Sequence, residues 1–339
     1  MGEFDVFGGK EMARVSLTWE NGVQRNSFIQ FIDINLRGAG QVMFQNNPLT
    51  GLLFIIGIFW GAIAAGSIAI GIGAVVALLI STLTAMVLNV DIGSLRQGLY
   101  GFNGILVGIG VATFIQNTPL MWVYLIIGAA LSTVAMLAIT NLMKNWGMAA
   151  LTFPFVLTTW FLLLAVYQFT HLPIGSLGPP ALPLSGNLPG TNMPLTVSFL
   201  LTGWITGVSQ VFLINNVVTG IIFVIALAVS SWQAAILALV GAAVGLSIAL
   251  LFGANAHGIG TGLYGFSAVL TAIALGSVFY SPSFKVVLYT IVGVILTVIV
   301  QAALNTALSP IGIPTLTAPF VLATWLFLLP KEQFAPETV

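Results

Sequence analysis

The sequence predicts an all-α integral membrane protein built as two inverted repeats, with about ten transmembrane helices and two short pore helices. Three observations predict it: the scarcity and placement of charge, an internal duplication, and an interrupted apolar segment at the same place in each half. Of 339 residues, 58% are hydrophobic and only 5% charged, with a mean hydropathy of +1.10. Soluble domains carry roughly 25% charged residues. No Asp, Glu, Lys or Arg occurs between Lys144 and Lys285, nor between Lys285 and Lys331. A water-facing surface cannot be built from such stretches, whereas lipid demands them, because a charge in hydrocarbon costs several kcal/mol.

The duplication is legible in three ordered blocks. GQVMFQNNPLTG (40–51) recurs as SQVFLINNVVTG (209–220), GLYGFNGIL (98–106) as GLYGFSAVL (262–270), and LTFPFVLTTW (151–160) as LTAPFVLATW (316–325). The offsets run from about 164 to 169 residues. The implied organisation is a polar lead-in over 1–25, a first repeat over 26–180, a Pro- and Gly-rich connecting loop over 181–193, and a second repeat over 194–339. Residues 1–25 carry charges throughout and lack the apolar core of a signal peptide.

Each half has the same apolar rhythm. Segments at about 27–40, 49–65, 67–89, 121–141 and 150–168 correspond to 194–208, 213–230, 232–252, 284–307 and 315–329. The first is the least apolar, since it holds Asp33 and Arg37. Five spans per half place the second half upside down, with a pseudo-two-fold axis in the membrane plane. Lys10, Arg14, Arg25 and Arg37 favour a cytoplasmic N-terminus, and ten spans return Lys331 to the same side. One further segment per half, 98–114 and 262–279, is short and opens with Gly-x-x-Gly. Irregular backbone at membrane depth is tolerated where it is buried in protein or lines a cavity, so these are the expected pore helices.

The missing charges also bound the chemistry. The strongest spans hold no ionisable residue of the kind that couples transport to protons or sodium. There is no nucleotide-binding loop motif, no cysteine, no metal-ligand cluster, no cofactor motif and no nucleophile–base pair, so neither enzyme chemistry nor a metal or cofactor is expected. The zero formal net charge gives no reason to expect a nucleic acid partner. The polar residues in the repeat blocks are uncharged symmetry partners: Gln41 and Gln210, Asn46 and Asn215, Asn47 and Asn216, Thr152 and Thr317. With Phe102 and Phe266 they fit a passive lumen that hydrogen-bonds a small, flat, neutral solute without a field. The asparagines are expected mainly to cap helices, most of the tryptophans to anchor at the lipid interface, and His171 and His257 to sit in loops.

The same blocks resemble the signature of the urea transporter family, in order and in both halves, over most of the chain beyond residue 26. Within it the chain looks like a bacterial urea channel. The resemblance implies a homotrimer in the plasma membrane (the inner membrane in a bacterium), each subunit conducting urea passively through its own pore. It carries over Gln41, Val42 and Phe44 with Phe102 and Leu106 as the outer binding region. It carries over Gln210, Val211 and Leu213 with Phe266 and Leu270 as the inner region, and Thr152 and Thr317 as the central constriction. Gln210 departs from relatives with Glu there, keeping a carbonyl acceptor and adding two donors. The half-two block also reads NNVVTG rather than NNPLTG. The alternative permeants are another short-chain amide or ammonia. An aquaporin-type pore would need paired Asn-Pro-Ala boxes, whereas Asn47-Pro48-Leu49 occurs once.

Overall fold

The computed structural model describes residues 19–182 and 196–331, so the chain before residue 19 and most of the connecting loop lie outside it. Among the described residues there is no strand, only an isolated antiparallel bridge between Ile115 and Ile174. After the helical residues 19–25, the first repeat contributes α1 (Ser27–Gln41), α2 (Pro48–Ala64), α3 (Ile68–Val87), α4 (Ile92–Arg96), α5 (Phe102–Phe114), α6 (Pro119–Lys144) and α7 (Phe153–Val166). The second contributes, in the same order, α8 (Val197–Ser209), α9 (Val217–Ser230), α10 (Trp232–Leu251), α11 (Ala256–Gly260), α12 (Phe266–Ile273), α13 (Phe284–Leu308) and α14 (Ala318–Leu328).

The start signals repeat with the helices. Asn47 Oδ1 accepts the amides of Leu49 and Thr50 and opens α2, with Pro48 at a first-turn position where its missing N–H loses nothing. Asn216 opens α9 in the same way through the Thr219 amide. Thr118 caps α6 and Ser283 caps α13. Four helices, α3, α6, α10 and α13 with its turn to Ile311, are each long and apolar enough to cross a bilayer. The segments read from sequence as separate spans at 194–208 and 213–230 are shorter helices, bent by 71° at their junction. A hydropathy profile shows their length but not that bend.

Two sets of contacts fix how the repeats meet. Thr50 Oγ1 donates to the Ala226 carbonyl at 2.8 Å, and Thr219 Oγ1 donates to the Gly57 carbonyl at 2.9 Å. As α2 advances from Thr50 to Gly57, its partner α9 retreats from Ala226 to Thr219, so equivalent helices run antiparallel. This is the inverted relation that an odd number of spans requires. Phe54 and Phe223, also repeat partners, meet edge to face at 5.0 Å between centroids, and Phe212 closes the cluster at 5.4 and 5.0 Å. All three rings are fully buried. Within each half the short helix lies tightly on its neighbour. A Cβ on Gly108 of α5 would overlap the Gly73 carbonyl of α3, and one on Gly245 of α10 would crowd the Tyr264 carbonyl just before α12. Small residues are what permit such approach between membrane helices. The outer faces of α6 and α13 expose Leu131, Val134, Val292 and Ile299, the surface expected against lipid.

Candidate functional site

The site is assembled at two kinds of backbone break, each occurring twice. At the first, Gly98 and Gly262 both take φ of +75°. A Cβ at either would strike the backbone nitrogen of a neighbouring helix, Gly38 or Gly207, so glycine is required for both conformation and space. The residue before each break offers its carbonyl to a repeat-block glutamine. Gln41 Nε2 donates to the Gln97 carbonyl at 2.9 Å, and Gln210 Nε2 to the Thr261 carbonyl at 2.9 Å. Each glutamine thus ties the end of α1 or α8 to the lead-in of α5 or α12. With the amide nitrogen so engaged, the side-chain carbonyl oxygen remains as an acceptor.

Beyond each glutamine the chain turns through a bulky residue in the left-handed region: Phe44 at φ 62° and Leu213 at φ 57°. Leu151 at φ 53° and Leu316 at φ 51° do the same just before the threonines. Such residues normally avoid this region, at about 1–2 kcal/mol each. Four of them in two symmetric pairs mark where packing over-determines the backbone, as functional sites commonly do.

Those leucines set the direction of Thr152 and Thr317, the N-caps of α7 and α14. Neither hydroxyl caps its own helix. Instead Thr152 Oγ1 and Thr317 Oγ1 meet at 2.6 Å, both residues being 3% exposed or less. The two helices therefore point their N-termini at each other across the pseudo-two-fold, with one hydroxyl–hydroxyl hydrogen bond at the crossing. Trp160 Nε1 donates to the Pro314 carbonyl and Trp325 Nε1 to the Ala149 carbonyl, each at 2.9 Å. These reciprocal staples hold the junction. Trp160 and Trp325 are thus tied to the protein, whereas the exposed Trp60, Trp146 and Trp232 suit the lipid-anchor role expected of most of the tryptophans.

Of the twelve residues selected from sequence, Val42, Phe102, Leu106, Val211, Phe266 and Leu270 belong to the main buried core, with Phe44 and Leu213 packed on it. The contacts cross between halves. The Phe44 ring stands edge-on to Phe320 at 6.0 Å and Phe279 at 6.1 Å, both from the second half. Leu213 of the second half reaches toward Gly110 of α5, beside Phe155 of α7. Each of these two breaks is thus packed by the opposite repeat. Phe279, Phe320 and Phe155 were not singled out in sequence, although the last two follow the threonines by three residues in the duplicated block.

Asn103 was also missed. Its Oδ1 accepts the Phe155 amide at 3.0 Å, satisfying the first turn of α7 from the side of α5. Its repeat partner is Ser267, whose Oγ is buried and unpartnered. A second asymmetry lies on the first helix of half one. Arg37 Nε pairs with Asp33 Oδ2 at 2.6 Å and its guanidinium also reaches the carbonyl and side chain of Asn46, while Trp19 Nε1 donates to Asp33 Oδ1 at 2.7 Å. The equivalent positions in half two are Thr202 and Thr206, and there Thr206 Oγ1 simply bonds the Thr202 carbonyl. Asp91 caps α4, and the Ser94 amide holds its carboxyl below the usual range. Among the described residues, no group of three His, Cys, Asp or Glu is placed to hold a metal ion. The site itself consists of amides, hydroxyls, backbone carbonyls and rings.

The family model described as Urea transporter matches residues 32–332. The chain is 30% identical to sheep (Ovis aries) Urea transporter 1 over 309 residues, covering 89% of this chain and 77% of that protein. It is 31% identical to the rat (Rattus norvegicus) Urea transporter 1 over 312 residues, with the same coverage.

Proposed function

The chain belongs to the urea transporter family, and we propose that it conducts urea passively across the membrane, through a pathway running between the two glutamine-bearing breaks and past the threonine pair. The observation that carries the reading is the Thr152–Thr317 contact at 2.6 Å, buried at the pseudo-two-fold between two uncharged, strained, repeat-related breaks. Urea is planar and neutral, with two amino groups and one carbonyl. The side-chain carbonyls of Gln41 and Gln210 supply acceptors for its amino groups. Phe44, Phe102, Phe266 and Leu213, with Val42, Leu106, Val211 and Leu270, supply apolar walls for its faces. The threonine pair opens as the solute arrives. One neutral hydrogen bond is worth about 1 kcal/mol net, and each hydroxyl regains a partner in the solute, so the crossing is a low step.

No charged side chain is part of this set. An ion would have to shed its hydration among neutral dipoles in a buried site, at a cost of several kcal/mol. Proton or sodium coupling has no ionisable carrier there, so the flux follows the urea gradient alone. The domain division into repeats over 26–180 and 194–339 joined at 181–193 belongs to the same proposal, as does a homotrimer with one pathway per subunit. Native mass spectrometry in mild detergent tests the trimer, and a monomer at functional concentrations would remove it.

The experiment is stopped-flow light scattering on liposomes holding the purified protein, with urea, acetamide and ammonia offered in turn. Urea permeability well above protein-free liposomes supports the proposal. Folded protein that passes ammonia or acetamide but not urea would transfer the site to those permeants.

A further inference from the structure

Several helical threonines and serines in this protein return their hydroxyls to the carbonyl four residues back. Thr84, Thr271, Ser277, Thr297 and Thr306 all do so. This is the ordinary way to satisfy such a group where no water is at hand. Thr159 on α7 and Thr324 on α14 do not: both are fully buried, and neither Oγ1 has a partner. Leaving a buried hydroxyl unmet is unfavourable. Among the described residues, eight buried polar side-chain atoms lack a partner, and of these only Thr159 Oγ1 and Thr324 Oγ1 are related by the repeat, each seven residues beyond a constriction threonine.

The spacing places them. Seven residues are 20° short of two full helical turns and advance about 10 Å along the axis. Thr159 therefore lies on the α7 face that carries Thr152, and Thr324 on the α14 face that carries Thr317. Because the two N-caps touch, the bonded pair lies between the helices, with an unbonded group about 10 Å along each helix from it. The surroundings of Thr159 agree. Its Cγ2 lies 3.3 Å from the position a Cβ on Gly110 would take, and Leu213 Cδ1 lies 3.9 Å from that same position. The threonine thus sits where α5, α7 and the opposite repeat's break converge.

We infer that Thr159 and Thr324 are permeation residues, a second pair of hydroxyls that hydrogen-bond the solute on either side of the central constriction. The inference rests on the pathway proposed above. A neutral, hydrogen-bonding solute leaving Thr152 or Thr317 has no further side-chain hydroxyl on those helix faces until it reaches them.

The test replaces each with the near-isosteric valine, and with serine as the conservative control. T159V/T324V is expected to lower urea permeability about fivefold or more, the effect of one lost hydrogen bond at a rate-limiting step, while T159S/T324S retains most of it. Since these hydroxyls bond nothing in the protein, the thermal midpoint of the valine variant is expected to stay level or rise. Urea flux within twofold of wild type in the valine variant would overturn the inference. So would serine falling as far as valine, or a midpoint that falls with the flux, because either points to a packing role. A wild-type protein that conducts no urea at all would remove the functional reading and this one together.

Discussion

Replacing the constriction threonines by valine separates a hydrogen bond from its burial. In Thr152→Val the methyl group fills the space of the hydroxyl, but Thr317 Oγ1 is left in a site where its residue is 2% exposed. A buried hydroxyl stripped of its partner costs about 1–3 kcal/mol. Thr317→Val does the same to Thr152, which is 3% exposed. The double variant leaves no orphan, and exchanging both members of a buried polar pair for apolar groups of the same shape is nearly neutral. The expected cycle is strongly non-additive: each single change destabilises by about 2 kcal/mol, the pair by less than about 1 kcal/mol, giving a coupling of about 3 kcal/mol. An unfolding titration in mixed detergent micelles measures it. Transport should behave differently, because the solute loses a hydroxyl in each single variant and both in the double, so urea permeability falls in all three. Stability losses that simply add, with a coupling inside about 0.5 kcal/mol of zero, would refute the claim that these two oxygens bond each other at the crossing.

Further expectations follow from the asymmetries between the halves. Arg37→Thr leaves the Asp33 carboxylate, 3% exposed, without its cation, and should destabilise by about 2–3 kcal/mol, whereas D33T/R37T adopts the solution half two already uses and should cost under about 1 kcal/mol in the same titration. Asn103→Leu should cost about 1–3 kcal/mol by orphaning the Phe155 amide, while Ser267→Ala at the equivalent position should be neutral or stabilising; equal effects would contradict the one-sided cap. Gly98→Ala or Gly262→Ala combines a left-handed φ with overlap of a neighbouring backbone and should abolish recovery of folded protein, read as loss of the monodisperse peak in size-exclusion chromatography.

The duplication, the glycines at the breaks and the threonine pair were legible in sequence because repetition singles out residues that composition alone would not. Gly98 and Gly262 could be read directly, since a glycine opening a short apolar segment has few other uses. That Thr152 and Thr317 touch was not legible: the repeat pairs them in register, and only the inverted packing brings helix N-termini together. Phe44, Leu151, Leu213 and Leu316 gave no sign of their positive φ, because their side chains favour other backbone regions and tertiary packing alone holds them there. Trp160 and Trp325 were hidden by the usual habit of tryptophan in membranes; here the indole N–H binds a carbonyl of the other repeat. Asn103, Thr159 and Thr324 lay inside the duplicated blocks, but a single polar residue on an apolar helix is read first as packing. Their partners, or lack of them, exist only in three dimensions.

The most direct test of passive urea conduction is the amount of labelled urea inside protein-bearing liposomes at long times, with a proton or sodium gradient imposed and maintained. An uncharged pathway predicts that urea fills rapidly and stops at the external concentration, whatever the gradient. Accumulation above that concentration, collapsing when the gradient is dissipated, would contradict the passive mechanism and require an ionisable coupling group.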